Sequence, residues 1–228
     1  MAERSKLNEC WYRLMRDLCR GAGILACQVR HTGQRNIPQQ DPVLVVANHQ
    51  SHFDPPLVGM GSSRRMNYLA RESLFKFKPF GWLLGSVGAI PIDRDGRGLA
   101  GIKAALRLLK QGEMVLVFPE GTRSANGEMQ PFRPGFTTLA VRSKASILPV
   151  GIQGAYDGWP RHRKFPRRCH AHVHYGTPIP PQQVAAFPER ELITEVERRI
   201  RQCCEVLRQH PLRAHHPRRN TVTADSTR

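Results

Sequence analysis

His49 and Asp54 stand five positions apart in the run Asn48-His49-Gln50-Ser51-His52-Phe53-Asp54. An imidazole and a carboxylate brought together can move a proton: the carboxylate fixes the ring's tautomer and stabilises its cation, leaving the other ring nitrogen free to act as a base. A plainer reading has Asp54, which precedes Pro55 and Pro56, capping a helix whose first turn accepts proline. That reading accounts for Asp54 and leaves His49 without a role.

The elements around the pair have to bring it together. Val43 to Ala47 is a short apolar, β-branched run entered through Asp41-Pro42, the pattern of a buried strand leaving a turn. Five residues along a continuous helix would put the two side chains on different faces, whereas a strand end turning into a helix can fold them back within hydrogen-bond reach.

Two further charged loops follow predicted strands. They are Gly88-Ala89-Ile90-Pro91-Ile92-Asp93-Arg94 and Phe118-Pro119-Glu120-Gly121-Thr122-Arg123-Ser124. Pro-Glu-Gly alone is an ordinary turn. An arginine in each of two loops at strand ends is more suggestive, because α/β folds place ligands there and two guanidinium forks can grip one phosphate. Thr122 and nearby backbone amides could add donors.

Periodicity places the remaining elements. Met66–Ala70, Ala89–Asp93, Met114–Phe118, Ile147–Ile152 and His170–Tyr175 read as strands. Leu99–Lys110, with Leu99, Ile102, Leu106 and Leu109 inward, Phe136–Arg142 and Glu189–Leu207 read as helices. The last presents Leu192, Val196, Ile200, Cys203 and Leu207 on one face. The expected class is α/β, with a mixed central sheet flanked by helices. Before it, Leu7, Trp11, Leu14, Met15, Leu18, Ala22 and Leu25 mark an amphipathic helix with a kink near Gly21 to Gly23. Its apolar stripe either packs on the domain or rests in a membrane interface. The uncharged stretch Phe80–Ile92 is too short to span a bilayer and suits core, tunnel or interface. The division expected is an amphipathic segment over 1–33, a catalytic domain over 34–208 and a basic, disordered tail over 209–228.

The formal net charge is +17, of which the last twenty residues hold +3. Such a surface attracts polyanions: nucleic acid, anionic membrane or phosphorylated substrates. Aromatic residues make up 7% of the chain and are not interleaved with the basic ones, and no known DNA or RNA module is present, so nucleic acid is not expected. The six cysteines form no CxxC pair, which argues against a zinc ribbon or disulfide framework. A metal-dependent hydrolase stays open on one count: His49, His52 and Asp54 could meet His170, His172 and His174, which alternate along a predicted strand.

Taken in order, NHQSHFD at 48–54, GAIPIDR at 88–94, FPEGTRS at 118–124 and Leu148-Pro149-Val150 resemble the four blocks of the glycerolipid acyltransferases, specifically the 1-acylglycerol-3-phosphate acyltransferases. The resemblance spans roughly residues 30 to 180. It implies that His49 is the general base and Asp54 its partner, and that Arg94 and Arg123, with Thr122, bind the acceptor phosphate. It also implies that Glu120 and Gly121 shape the acceptor site and that Pro149 helps to form the donor side. The implied substrates are a lysophospholipid acceptor and an acyl thioester donor, acyl-CoA or acyl-carrier protein, with no cofactor and no metal. Phospholipid biosynthesis at an anionic membrane surface follows, with the chain peripheral or monotopic on the cytoplasmic face. Another lysolipid, such as lyso-ornithine lipid, is the alternative acceptor.

Overall fold

The computed structural model describes residues 6–92 and 99–209. Its centre is β2 (Val43–Ala47), in which all five residues are buried. A strand covered on both faces needs no polar alternation, which is why this run reads as continuously apolar. Its side chains feed two cores in turn. Val43, Val45 and Ala47 join one, and Leu44 and Val46 the other.

Among the described residues the sheet has seven strands, in the order β1-β7-β6-β2-β5-β3-β4. These are β1 (Arg30–Thr32), β3 (Met66–Arg71), β4 (Ala89–Ile92), β5 (Met114–Val117), β6 (Ser146–Gln153) and β7 (His172–Tyr175), together with β2. Among the described strands β6 and β7 pair antiparallel and the other pairs are parallel, so the sheet is mixed. Val43 pairs with Met114 and Ser146, and Met114 pairs with Met66. The four central parallel strands therefore start in one row, and the loops after them leave from one edge.

Helix α2 (Asp54–Met60) covers one face with Leu57, Val58 and Met60. On the other lie α4 (Leu99–Lys110), α5 (Gly135–Ser143), α7 (Pro181–Ala186) and α8 (Glu189–Gln209). The inward face expected for α8 is buried as read: Leu192, Val196, Ile200, Cys203 and Leu207. It comes so close to β6 that a Cβ on Gly151 would stand 2.7 Å from the Cys203 Cβ. Helix α4 departs from expectation at one residue. Gly101, Ala105 and Leu109 are its buried residues, Leu106 packs against the core as expected, and Ile102 is exposed; the Leu99 side chain lies outside those described.

Helix α1 (Lys6–Cys27) runs without interruption through Gly21 and Gly23, where the sequence suggested a kink. It is docked on the body. Tyr12 is buried and its hydroxyl accepts the Met66 N–H at 3.0 Å, while Leu14 and Leu18 stay exposed. The packing reading of this helix holds for its Tyr12 side, and the exposed leucines lie on another side of it. The stretch from Phe80 belongs to α3 (Lys78–Ser86) and β4, and its Trp82 leans on Trp11 with ring centroids 5.8 Å apart. Short elements escaped the periodicity: β1, α6 (Ala155–Gly158) and α7 are too brief to show a repeat. Of the expected tail over 209–228, Gln209 closes α8 and residues 210–228 lie outside the described residues.

Candidate active site

His49 leaves the carboxyl end of β2 in a loop held by its neighbours. Asn48 stitches the strand end to β6: its Nδ2 donates to the Ile152 carbonyl at 3.0 Å and its Oδ1 accepts the Ile152 N–H at 2.8 Å. The amide replaces two ladder bonds just where the loop begins. Asp54 opens α2 but does not cap it. No side-chain capping bond is made, and the carboxylate turns back on the loop instead. Asp54 Oδ2 accepts from His49 Nδ1 at 2.7 Å, from the Gln50 N–H at 2.6 Å and from the Ser51 N–H at 2.7 Å. Three donors converging on one buried oxygen set the His49 ring with Nδ1 toward Asp54, so Nε2 is the nitrogen left to take a proton. The ring also stacks on Phe118, with centroids 4.0 Å apart and planes within 16°.

The loop after β5 grips His49 through its backbone. Glu120 Oε1 accepts the His49 N–H at 2.8 Å, and the Ser124 N–H donates to the His49 carbonyl at 2.8 Å. Glu120 Oε2 takes the Gln130 N–H at 3.1 Å. Burial pushes the Glu120 carboxyl up to about 7, with the nearby Asp54 charge adding to it and the two accepted N–H bonds opposing. Gly121 closes the turn at φ 72°, donating its N–H to the Phe118 carbonyl at 3.0 Å. A Cβ there would stand 2.9 Å from Arg133 Nε, so both conformation and space call for glycine.

Thr122 and Arg123 are half-buried on the same loop. Arg161 Nη1 reaches Thr122 Oγ1 at 3.5 Å, the outer limit of a hydrogen bond. His52 is held well down, to about 4, by partial burial and by the Arg123 and His49 charges. It lies against Trp159 with centroids 4.7 Å apart and is neutral at ordinary pH. The structure therefore brings His49, Asp54, Glu120, Gly121, Thr122 and Arg123 to one edge of the sheet. Pro149 is placed elsewhere. It lies within β6 opposite Val46, and its carbonyl accepts the Gly176 N–H at 2.9 Å, on the side toward Cys203 of α8. Arg94 lies outside the described residues.

The histidines of β7 do not join the first cluster. His174 Nδ1 pairs with Thr32 Oγ1 at 2.8 Å, and among the described residues no three His, Cys, Asp or Glu side chains are grouped to hold a metal ion. Two positioning groups were not singled out from sequence alone. Asn48 stood inside a block already noticed, whereas nothing local to Trp159 marks its contact with Ser51, 108 residues away, and with His52.

Comparison with known proteins gives the same answer at several levels. The family model described as Acyltransferase matches residues 28–153. The 1-acyl-sn-glycerol-3-phosphate acyltransferase of Bacillus subtilis is 29% identical over 76% of this chain and 85% of its own length. The protein of that name from Pseudomonas aeruginosa is 33% identical over 66% of this chain and 58% of its own. The chain spans only 36% of a Brassica napus chloroplast relative. The crystal structure of the 1-acyl-sn-glycerophosphate acyltransferase PlsC from Thermotoga maritima superimposes with a TM-score of 0.78 at 29% identity, covering 91% of this chain and 84% of that one. With its histidine and aspartate at the edge of such a sheet, and more than half its length matched by the family model, this chain belongs to the acyltransferase family.

Proposed function

We propose that this protein transfers a fatty acyl group from an acyl thioester to the free sn-2 hydroxyl of 1-acylglycerol-3-phosphate, giving phosphatidic acid. The observation that carries the reading is the oriented imidazole: Nδ1 is engaged by Asp54 at 2.7 Å and Nε2 is left as the base. His49 Nε2 takes the hydroxyl proton as the acceptor oxygen attacks the thioester carbonyl. The C–O bond forms, the C–S bond breaks, and the departing thiolate takes the proton from the imidazolium. Direct transfer is supported by the two nearby serines, whose hydroxyls are committed elsewhere: Ser51 Oγ donates to the Trp159 carbonyl and Ser124 Oγ to Asn126. Arg123, with Arg94, is assigned the acceptor phosphate. The reaction needs no cofactor; acyl-CoA and acyl-carrier protein are the candidate donors.

The acyl chain of the lysophospholipid acceptor comes from a bilayer, and the surface suits one. Leu14 and Leu18 of α1 are exposed, as are Phe77 at 70% and Trp82 at 66% beside α3, an amphipathic face among basic residues. No helix among the described residues is long and apolar enough to cross a membrane. We assign a peripheral or monotopic position on the cytoplasmic face. The deciding experiment is thioester consumption by purified protein in micelles, with lysophosphatidic acid, glycerol-3-phosphate and lyso-ornithine lipid offered separately, for wild type and His49→Ala. Turnover with lysophosphatidic acid, lost in the variant, is expected. Turnover with lyso-ornithine lipid alone would replace the acceptor, and turnover undiminished in His49→Ala would remove the base.

A further inference from the structure

Between α6 and β7 the chain forms an exposed, strongly basic loop. Within 161–168 it carries Arg161, Arg163, Lys164, Arg167 and Arg168 and no acidic residue. At its tip Phe165 is 77% exposed. The base is fastened down. The Trp159 carbonyl accepts the His52 N–H at 3.1 Å and Ser51 Oγ–H at 2.9 Å, and Trp159 Nε1 donates to the Arg163 carbonyl at 3.1 Å. The Arg167 N–H closes the loop on the Gly158 carbonyl at 2.8 Å. Its shape is thus set before anything binds.

Its position follows from the strand order. The neighbours β6, β2, β5 and β3 are parallel and start in one row, so their following loops emerge at the same edge. The inner two, β2 and β5, lead to His49 and Glu120. The outer two lead to exposed aromatic residues: β3 to Phe77, which is 70% exposed, and β6 to Phe165. The site lies between two apolar projections, and one of these is ringed by cations.

We propose that the loop 160–168 is a membrane-binding foot. Phe165 enters the acyl boundary of an anionic bilayer, and Lys164, Arg167 and Arg168 meet the lipid phosphates. With Phe77 on the opposite side, the foot seats the carboxyl edge of the sheet on the bilayer and turns the mouth of the site toward the lipid. Charge complementarity selects this occupant: an apolar tip among clustered cations fits a negatively charged lipid surface. The purpose of the foot rests on the acyltransferase reading, but its contact with lipid is measurable without turnover.

The test is flotation of the full-length protein with vesicles of phosphatidylcholine alone or mixed with phosphatidylglycerol. Phe165→Ser should lower partitioning about tenfold on the mixed vesicles, and Phe165→Leu should restore most of it. The double variant Lys164→Gln/Arg168→Gln should lose about fivefold per charge on mixed vesicles and nothing on phosphatidylcholine. Unchanged partitioning of both Phe165→Ser and the double variant would overturn the proposal. So would intact partitioning with a raised KM for acyl-CoA, which would make the loop a donor-phosphate contact. Loss of partitioning in a protein that proves inactive toward every acceptor would uphold the foot while sinking the acyltransfer reading.

Discussion

Glu120 Oε1 accepts the backbone N–H of His49 at 2.8 Å, so the loop after β5 holds the residue proposed as the base, two positions beyond the end of β2. With its second oxygen on the Gln130 N–H, this carboxylate serves two donors at once, and in the proposed reaction it would act through the placement of His49. Glutamine has one acceptor oxygen for the same two N–H groups and would turn its own N–H toward the other. Glu120→Gln should therefore lower kcat by about a hundredfold, the scale of a misplaced catalytic group. Steady-state kinetics separates the roles: a fall in kcat with the acceptor KM retained marks positioning, while a rise in that KM alone marks acceptor contact.

The same carboxyl gives the fold a pH signature. Its ordinary value is 4.5 and burial raises it to about 7 in the folded protein. Between those limits the folded state binds more protons than the unfolded one. The stabilising contribution is complete below about 4.5 and is lost as pH rises through about 7. Thermal unfolding of wild type should lose ground to Glu120→Gln across that window; parallel melting curves for the two would contradict the shift.

His49→Ala should lower turnover by about a hundred- to ten-thousandfold with the melting temperature little changed. Asp54→Asn should do comparable harm and also loosen the loop, because the side chain accepts the Gln50 and Ser51 N–H groups as well as the imidazole. Activity and melting temperature measured together check both. Retention of near-normal turnover by His49→Ala would refute its assignment as base.

Gly121→Ala tests the turn that carries Thr122 and Arg123. A positive φ of 72° and the Arg133 side chain at 2.9 Å from a built Cβ both oppose alanine. The expected loss is about 1–3 kcal/mol of stability, read by urea unfolding, with a change of less than about 0.5 kcal/mol telling against the strain.

Removing α1 outright would strip the Tyr12 hydroxyl from the buried Met66 N–H and confound lipid binding with damage to the fold. Leu14→Ser/Leu18→Ser, which keeps Tyr12, and Trp82→Ser, which removes an exposed ring, are the cleaner changes. Each should lower sedimentation with anionic vesicles severalfold while leaving the melting temperature within a few degrees. Undiminished sedimentation in both would remove this face from the membrane.

How far the chain is legible follows from range. The buried strands at 43–47, 114–117 and 146–153 and the apolar face of α8 are visible in the sequence, because burial on both faces or on one stripe selects side chains residue by residue. The pairing of His49 with Asp54 is visible for a similar reason: the partners are five residues apart and a strand-to-helix turn closes the gap. Ile102 was misplaced because periodicity reports an apolar stripe but not which neighbour covers it. The grip of Glu120 on His49 spans 71 residues, and that of Asn48 on Ile152 spans 104. No local preference encodes such contacts. They exist because β2 lies between β5 and β6, an order settled by how the whole sheet buries its two faces. The residue types, the blocks and the elements that carry them are properties of the sequence; the strand order that makes one site of them, and sets Phe77 and Phe165 on either side of it, was decided by tertiary packing.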